Sequence, residues 1–299
     1  VEGSSEDIFT QAEFREKVEL ELEKVSMAYD HFRTQQLTDA DDRLAFKEAK
    51  AELSFRLKSL TDMLDKQQFS VSGRANFEEW KESHQPFHWI AEYYQIIHGN
   101  GGFDVIIGNP PYVEYSSVRN IYKIEGYKTL TSGNLYSFVI ERSLNIQNSG
   151  KYIGMIIPIS AFCTERMGSL ISMLNERLEL NCVSNYAERP SKLFEGAERN
   201  LSIFIGKINN NIEKGKTFTT YYYKWKAENR NFLFRIVSYI ESTMCVLDNI
   251  IPKLSNKNEL LIEGKLDSLN RSIGSICIRS SNNVLYYKNS GGRYWKFMA

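Results

Sequence analysis

Cysteine is scarce, with four in 299 residues, and Cys163, Cys182, Cys245 and Cys277 stand far apart. None forms a CxxC or a Cys/His pair at metal-ligand spacing, so no metal site and no small disulfide framework is expected, and reduced cytosolic thiols are. Proline is equally sparse at six residues. No apolar run approaches the roughly 20 residues of a membrane span, so no membrane partner is expected. Residues 1–30 are charged and helical in pattern rather than a basic segment followed by an apolar signal core, and the chain opens on Val1, so a fragment of a longer protein is expected. Net charge is also absent, since 37 Lys and Arg balance 37 Asp and Glu. That balance hides an asymmetry. Residues 1–100 carry 12 basic against 20 acidic side chains, and residues 214–299 carry 14 against 6, so a polyanion would prefer the C-terminal end.

What is present begins with helical periodicity. Phe14, Val18, Leu22, Val25, Tyr29 and Phe32 recur at spacings of three and four, which predicts an amphipathic helix over 11–34. The run Thr38-Asp39-Ala40-Asp41-Asp42 offers N-capping side chains and negative charge for a second helix bearing Phe46, Ala49, Leu53, Leu57, Leu60 and Leu64. The pair predicts a helical hairpin occupying 1–84. From residue 85 the texture changes to strand, helix, strand: Phe103 to Gly108 predicts a strand buried on both faces, Asn134 to Asn145 a helix, and Tyr152 to Ile157 the next strand. A helix through Leu170, Met173, Leu174 and Leu178 follows, then strands at Cys182–Tyr186 and Leu201–Ile205. A doubly wound α/β region over 85–210 is the expectation. The polar stretch 206–220 places a boundary there, and 211–299 interleaves aromatic and basic residues at 221–226 and 286–296.

The chemistry concentrates in Asn109-Pro110-Pro111-Tyr112, directly after the first strand. Two prolines stiffen the loop and remove backbone donors, so carbonyls point outward. An exocyclic amine whose lone pair is delocalised into an aromatic ring needs such acceptors. Hydrogen bonds to the Asn109 side-chain oxygen and the Pro110 carbonyl would draw the nitrogen toward tetrahedral geometry, and Tyr112 would offer a ring on which an extruded base stacks. The carboxyl end of a strand is where open α/β sheets place ligands.

The string Phe103 to Val113 resembles the gamma-class amino-methyltransferases, especially the large methylases of type II restriction-modification systems in which modification and cleavage can share a chain. Gly133-Asn134-Leu135-Tyr136 with Glu141, the strand Gly150 to Pro158, and Leu193-Phe194-Glu195-Gly196-Ala197 leading into Ser202 to Ile205 resemble later motifs of that family. The resemblance implies a bacterial, cytoplasmic, S-adenosylmethionine-dependent enzyme that methylates the N6 amine of a flipped adenine in double-stranded DNA. It implies Asn109, Pro110, Pro111 and Tyr112 as catalytic residues, Phe194 as a second base-stacking contact, and Asn109, Pro111 and Phe138 as cofactor contacts. Residues 286–296 resemble a patch of attached target-recognition domains, which makes Arg293, Tyr294 and Trp295 expected DNA contacts.

The implied fold class is α/β: a partial Rossmann-like methyltransferase domain of three α-β-α layers, preceded by the hairpin and followed by part of a target-recognition domain. The family's Gly-rich cofactor loop is not seen, because Gly99-Asn100-Gly101-Gly102 precedes a strand instead of following one. The principal binding loop is expected upstream, and a nuclease or specificity module elsewhere in the parent protein. Two alternatives stay open. The same motif serves adenine in RNA and the amide of protein glutamine, and a chain lacking the cofactor loop would also suit a catalytically silent DNA-binding or scaffolding unit.

Overall fold

The computed structural model describes residues 5–37, 43–121, 123–209, 215–242 and 250–268. The chain divides into two compact units, Val1–Gly99 and Asn100–Ala299. The division falls at residue 99, fifteen residues beyond the expected end of the hairpin region at 84.

The first unit holds α1 (Ser5–Leu37), α2 (Arg43–Ser72), α3 (Phe77–His84) and α4 (Trp89–Glu92). The apolar stripes meet as their spacing predicts: Val25 and Leu60 are fully buried, with Val18, Leu22, Tyr29, Leu53, Leu57 and Leu64 packed around them. Phe32 and Phe46 meet with ring centroids 5.3 Å apart. The expected capping run Thr38 to Asp42 lies outside the described residues. Asp65, buried in α2, forms an ion pair with Lys81 Nζ at 2.7 Å and shares a hydrogen bond with His88 Nε2 at 2.7 Å. This is how a charge comes to be tolerated inside a helical core.

The second unit is built on β1 (Phe103–Gly108), α5 (Tyr115–Val118), α6 (Leu135–Ile146), β2 (Gln147–Pro158), α7 (Gly168–Arg177), β3 (Leu178–Tyr186), β4 (Leu201–Ile208), β5 (Lys216–Tyr223), β6 (Ile240–Ser242) and α8 (Lys257–Asp267). The strands form one sheet in the order β1-β2-β4-β3-β5-β6. β1 and β2 are parallel, as are β3 and β5, while β4 is antiparallel to β2 and β3 and β6 to β5. β1, β2, β3 and β5 therefore all point their carboxyl ends at one edge.

One face of the sheet carries Ile153, Met155, Ile157 and Phe204 into a core shared with Tyr136, Ile140 and Leu144 of α6 and Leu170, Ile171 and Leu174 of α7. On the other face, Tyr186 and Ile203 pack with Trp225 and Leu233 from the 3₁₀ segment Ala227–Arg235 and its approach. β1 departs from the expectation of a strand buried on both faces. It is an edge strand among the described residues, with Ile106 against the core but Val105 58% and Ile107 78% exposed. An apolar run reads as doubly buried only when both faces and both neighbours are supplied, and here β1 has one partner strand and one covered face. The chain reaches β1 through Gly102, whose φ is +124° and where a Cβ would sit 2.6 Å from the Ile146 carbonyl oxygen, so no other residue fits. β5 was not expected. It lies past the predicted boundary at 211 yet pairs with β3, so the sheet continues through it.

Candidate active site

Asn109 follows the last residue of β1, whose Gly108 pairs with Met155. Prolines 110 and 111 then turn the chain; Pro110 is buried, whereas Asn109 and Pro111 are exposed at the carboxyl edge of the sheet. Tyr112 is half-buried and leans on the main core. Its hydroxyl lies 2.5 Å from Asn109 Oδ1 and 2.9 Å from the Ile156 carbonyl, with geometry to donate to either. Burial pushes the phenol up to about 12, so it remains a donor at any physiological pH. The structure thus brings Asn109 and Tyr112 into direct contact, with the side-chain oxygen of the exposed Asn109 already engaged as an acceptor.

The segment leaving the elbow is stitched to the entry of α6. Leu135 N donates to Val113 O and Tyr115 N to Gly133 O, both at 2.9 Å, and Glu114 bridges Asn134. Asn134 is the N-cap of α6, its side-chain oxygen accepting from Tyr136 N. Glu114 takes a two-pronged contact from Arg166, and that hydrogen-bonded guanidinium holds its carboxyl below the usual carboxylate range, helped by Asn134 and Arg199. Arg199 lies two residues before β4, in the β3–β4 loop at the same carboxyl edge of the sheet.

Phe194 lies on that loop and opens a tight turn in which Ala197 N donates to Phe194 O at 3.2 Å across Gly196, whose φ is +81°. The loop is tethered by Arg230, which donates to the carbonyls of Lys192 and Leu193 at 2.9 Å each and lies over the Trp225 ring. Phe138 is only 4% exposed, with its ring edge-on to Tyr115 and tilted against Tyr127. It therefore joins the elbow exit to α6. Arg293, Tyr294 and Trp295 lie outside the described residues.

Residue spacing did not reveal Arg166, which meets Glu114 from 52 positions away in sequence; only the ionic types hinted at a pair. Glu141 was visible as part of a motif, but its task was not. Buried on α6, it accepts from Lys128 N, Thr129 N and Thr129 Oγ1 at 3.0, 2.9 and 2.7 Å, which holds the 3₁₀ turn before Gly133 in place. Among the described residues there is no cluster of three His, Cys, Asp or Glu side chains suited to a metal ion, and no helix long and apolar enough to cross a membrane.

A protein of Methanocaldococcus jannaschii named as a type II restriction enzyme and methyltransferase is 29% identical over 188 residues, covering 62% of this chain and 15% of its own length. The type II restriction enzyme and methyltransferase RM.Eco57I of Escherichia coli is 25% identical over 222 residues, covering 65% of this chain and 22% of its own length. The chain thus spans about a fifth or less of these relatives. Among solved structures, a nuclease-deletion mutant of the Type ISP restriction-modification enzyme LlaGI in complex with a DNA substrate mimic aligns over 73% of this chain and 24% of its own, at 14% identity and a TM-score of 0.42, too low for the overlay to bear on the assignment. The model of the Eco57I restriction-modification methylase matches residues 12–194, which takes in both the helical hairpin and the elbow, and the chain belongs to that family.

Proposed function

We propose that this chain is the catalytic half of a gamma-class DNA methyltransferase that modifies the N6 amine of an adenine swung out of duplex DNA. The observation that carries this reading is the elbow itself: an exposed Asn109 at the carboxyl end of β1, its side-chain oxygen held within reach of Tyr112. Adenine's amine is a poor nucleophile because its lone pair is spread over the ring. Asn109 Oδ1 and the Pro110 carbonyl, accepting its two hydrogens, pull the nitrogen toward tetrahedral geometry without first removing a proton, and one of the two protons is lost to solvent at the exposed Asn109 once the nitrogen carries the methyl group. As the amine arrives, the Tyr112 hydroxyl can keep its bond to the Ile156 carbonyl and release Asn109 Oδ1. The Tyr112 ring then supports the extruded base, with Phe194 as the second aromatic contact, and each stack is worth about 1–3 kcal/mol.

S-adenosylmethionine, when bound, supplies an electrophilic methyl group. The residues open to its methyl-bearing end are Asn109 and Pro111, whereas Phe138 is enclosed by its neighbours. The described residues therefore furnish one wall of a cofactor site, and we assign the remainder to a segment outside them. The exposed face of β1 at Val105 and Ile107 supports the same assignment, since among the described residues β1 has one partner strand and edge strands are ordinarily covered. Cleavage by a separate nuclease module and recognition by the basic C-terminal region complete the proposal for the full-length protein.

The test compares tritiated-methyl acceptance by plasmid DNA, ribosomal RNA and a release factor, using the full-length protein. Incorporation into DNA alone is expected. Incorporation into RNA or protein in its place would move the reading to those acceptors, and label found only on cytosine would refute it.

A further inference from the structure

The carboxylate of Glu114, two residues beyond Tyr112, gathers three separate segments of the second unit. Arg166 donates to it with both terminal nitrogens, Nη1 to Oε2 at 2.9 Å and Nη2 to Oε1 at 2.7 Å, and Asn134 Nδ2 donates to Oε1 at 3.2 Å. Asn134 uses the other end of the same amide to cap α6. Arg166 sits in the 3₁₀ turn Glu165–Met167 after β2, and Met167 anchors that turn in the main core.

The two side chains of the ion pair are 50% and 48% exposed, and pairs so exposed contribute little to global stability. What a bidentate fork does supply is orientation, because two parallel bonds fix an angle as well as a distance. The elbow is held on entry by the pairing of Gly108 with Met155 and on exit by the backbone bonds of Val113 and Tyr115 to Leu135 and Gly133, to which this fork adds the side-chain anchor. Between them the described polar side-chain anchor is the Tyr112 hydroxyl.

We propose that Glu114 is a positioning residue for methyl transfer: through Arg166 and Asn134 it fixes the exit of the elbow, and thereby the direction in which Asn109 Oδ1 and the Pro110 carbonyl are presented. This rests on the reading of the elbow as the amine-holding site. A displacement of about 1 Å in a group that orients a reactant can cost on the order of 100-fold in rate. A guanidinium replaced by an ammonium keeps the charge and loses the fork, so Arg166→Lys separates orientation from charge.

The experiment uses the full-length protein and duplex DNA bearing its target site, and reads single-turnover methyl transfer, DNA affinity and melting temperature for Glu114→Gln, Arg166→Lys, Arg166→Glu and the double reversal Glu114→Arg with Arg166→Glu. Expected are rates reduced about ten-fold or more in Glu114→Gln and Arg166→Lys, with affinity and melting temperature close to wild type, and a double reversal faster than Arg166→Glu alone. Rates within two-fold of wild type would overturn the proposal. So would rates that fall only in step with affinity or melting temperature, or a double reversal that recovers nothing. A wild-type protein that methylates no adenine would sink the elbow assignment itself, and that result is read before any variant is made.

Discussion

At Tyr112 one hydroxyl hydrogen faces two acceptors, and the phenol's environment keeps that hydrogen in place. Tyr112→Phe removes a single bond whose net worth is about 1 kcal/mol, and urea unfolding should show a loss of that order. Unchanged stability would mean that the hydroxyl is not bonded as the structure has it. The sign with pH follows from the raised pKa. The neutral form is favoured in the folded chain, so the contribution is fully present below about pH 10, the value in the unfolded chain, and is lost as pH rises toward about 12. Asn109 has no titrating group, so its replacement, which also frees the Tyr112 hydroxyl from one of its two acceptors, adds no pH term of its own.

Among the elements, the turn before α6 rests on Glu141. Its carboxylate serves three donors in a buried setting, and Glu141→Gln would set an amide N–H₂ against at least one of them. A loss of about 2 kcal/mol in denaturant unfolding is expected, and a change below about 0.5 kcal/mol would contradict the clamp. α6 and the hairpin were legible because a periodic apolar stripe is local information: Val25 and Leu60 lie where their spacing puts them. The elbow was legible for the same reason, as strand, Gly and Asn-Pro-Pro-Tyr are contiguous. β5 was not, because Thr217 and Thr219 are polar residues that face inward only once β3 lies alongside. The exposure of β1 and the Glu114–Arg166 fork were hidden likewise. Both depend on which segments become neighbours, and separations such as the 52 positions between those two residues leave no periodic trace.

On the scale of the whole molecule, the acidic first hundred residues and the basic last 86 divide a neutral chain into ends of opposite sign. Among the described residues, the edge where β1, β2, β3 and β5 all terminate carries the elbow and the Phe194 loop. Under the proposed function this is the edge that an extruded base would enter, and the chain itself belongs to a restriction-modification methylase family. The most direct measurement is mass spectrometry of nucleosides from duplex DNA incubated with S-adenosylmethionine and the full-length protein, wild type beside Asn109→Ala. N6-methyladenine should form with the wild type and disappear with a variant that still folds and binds DNA. Persistence of N6-methyladenine at the wild-type rate in Asn109→Ala would contradict the assignment of the elbow.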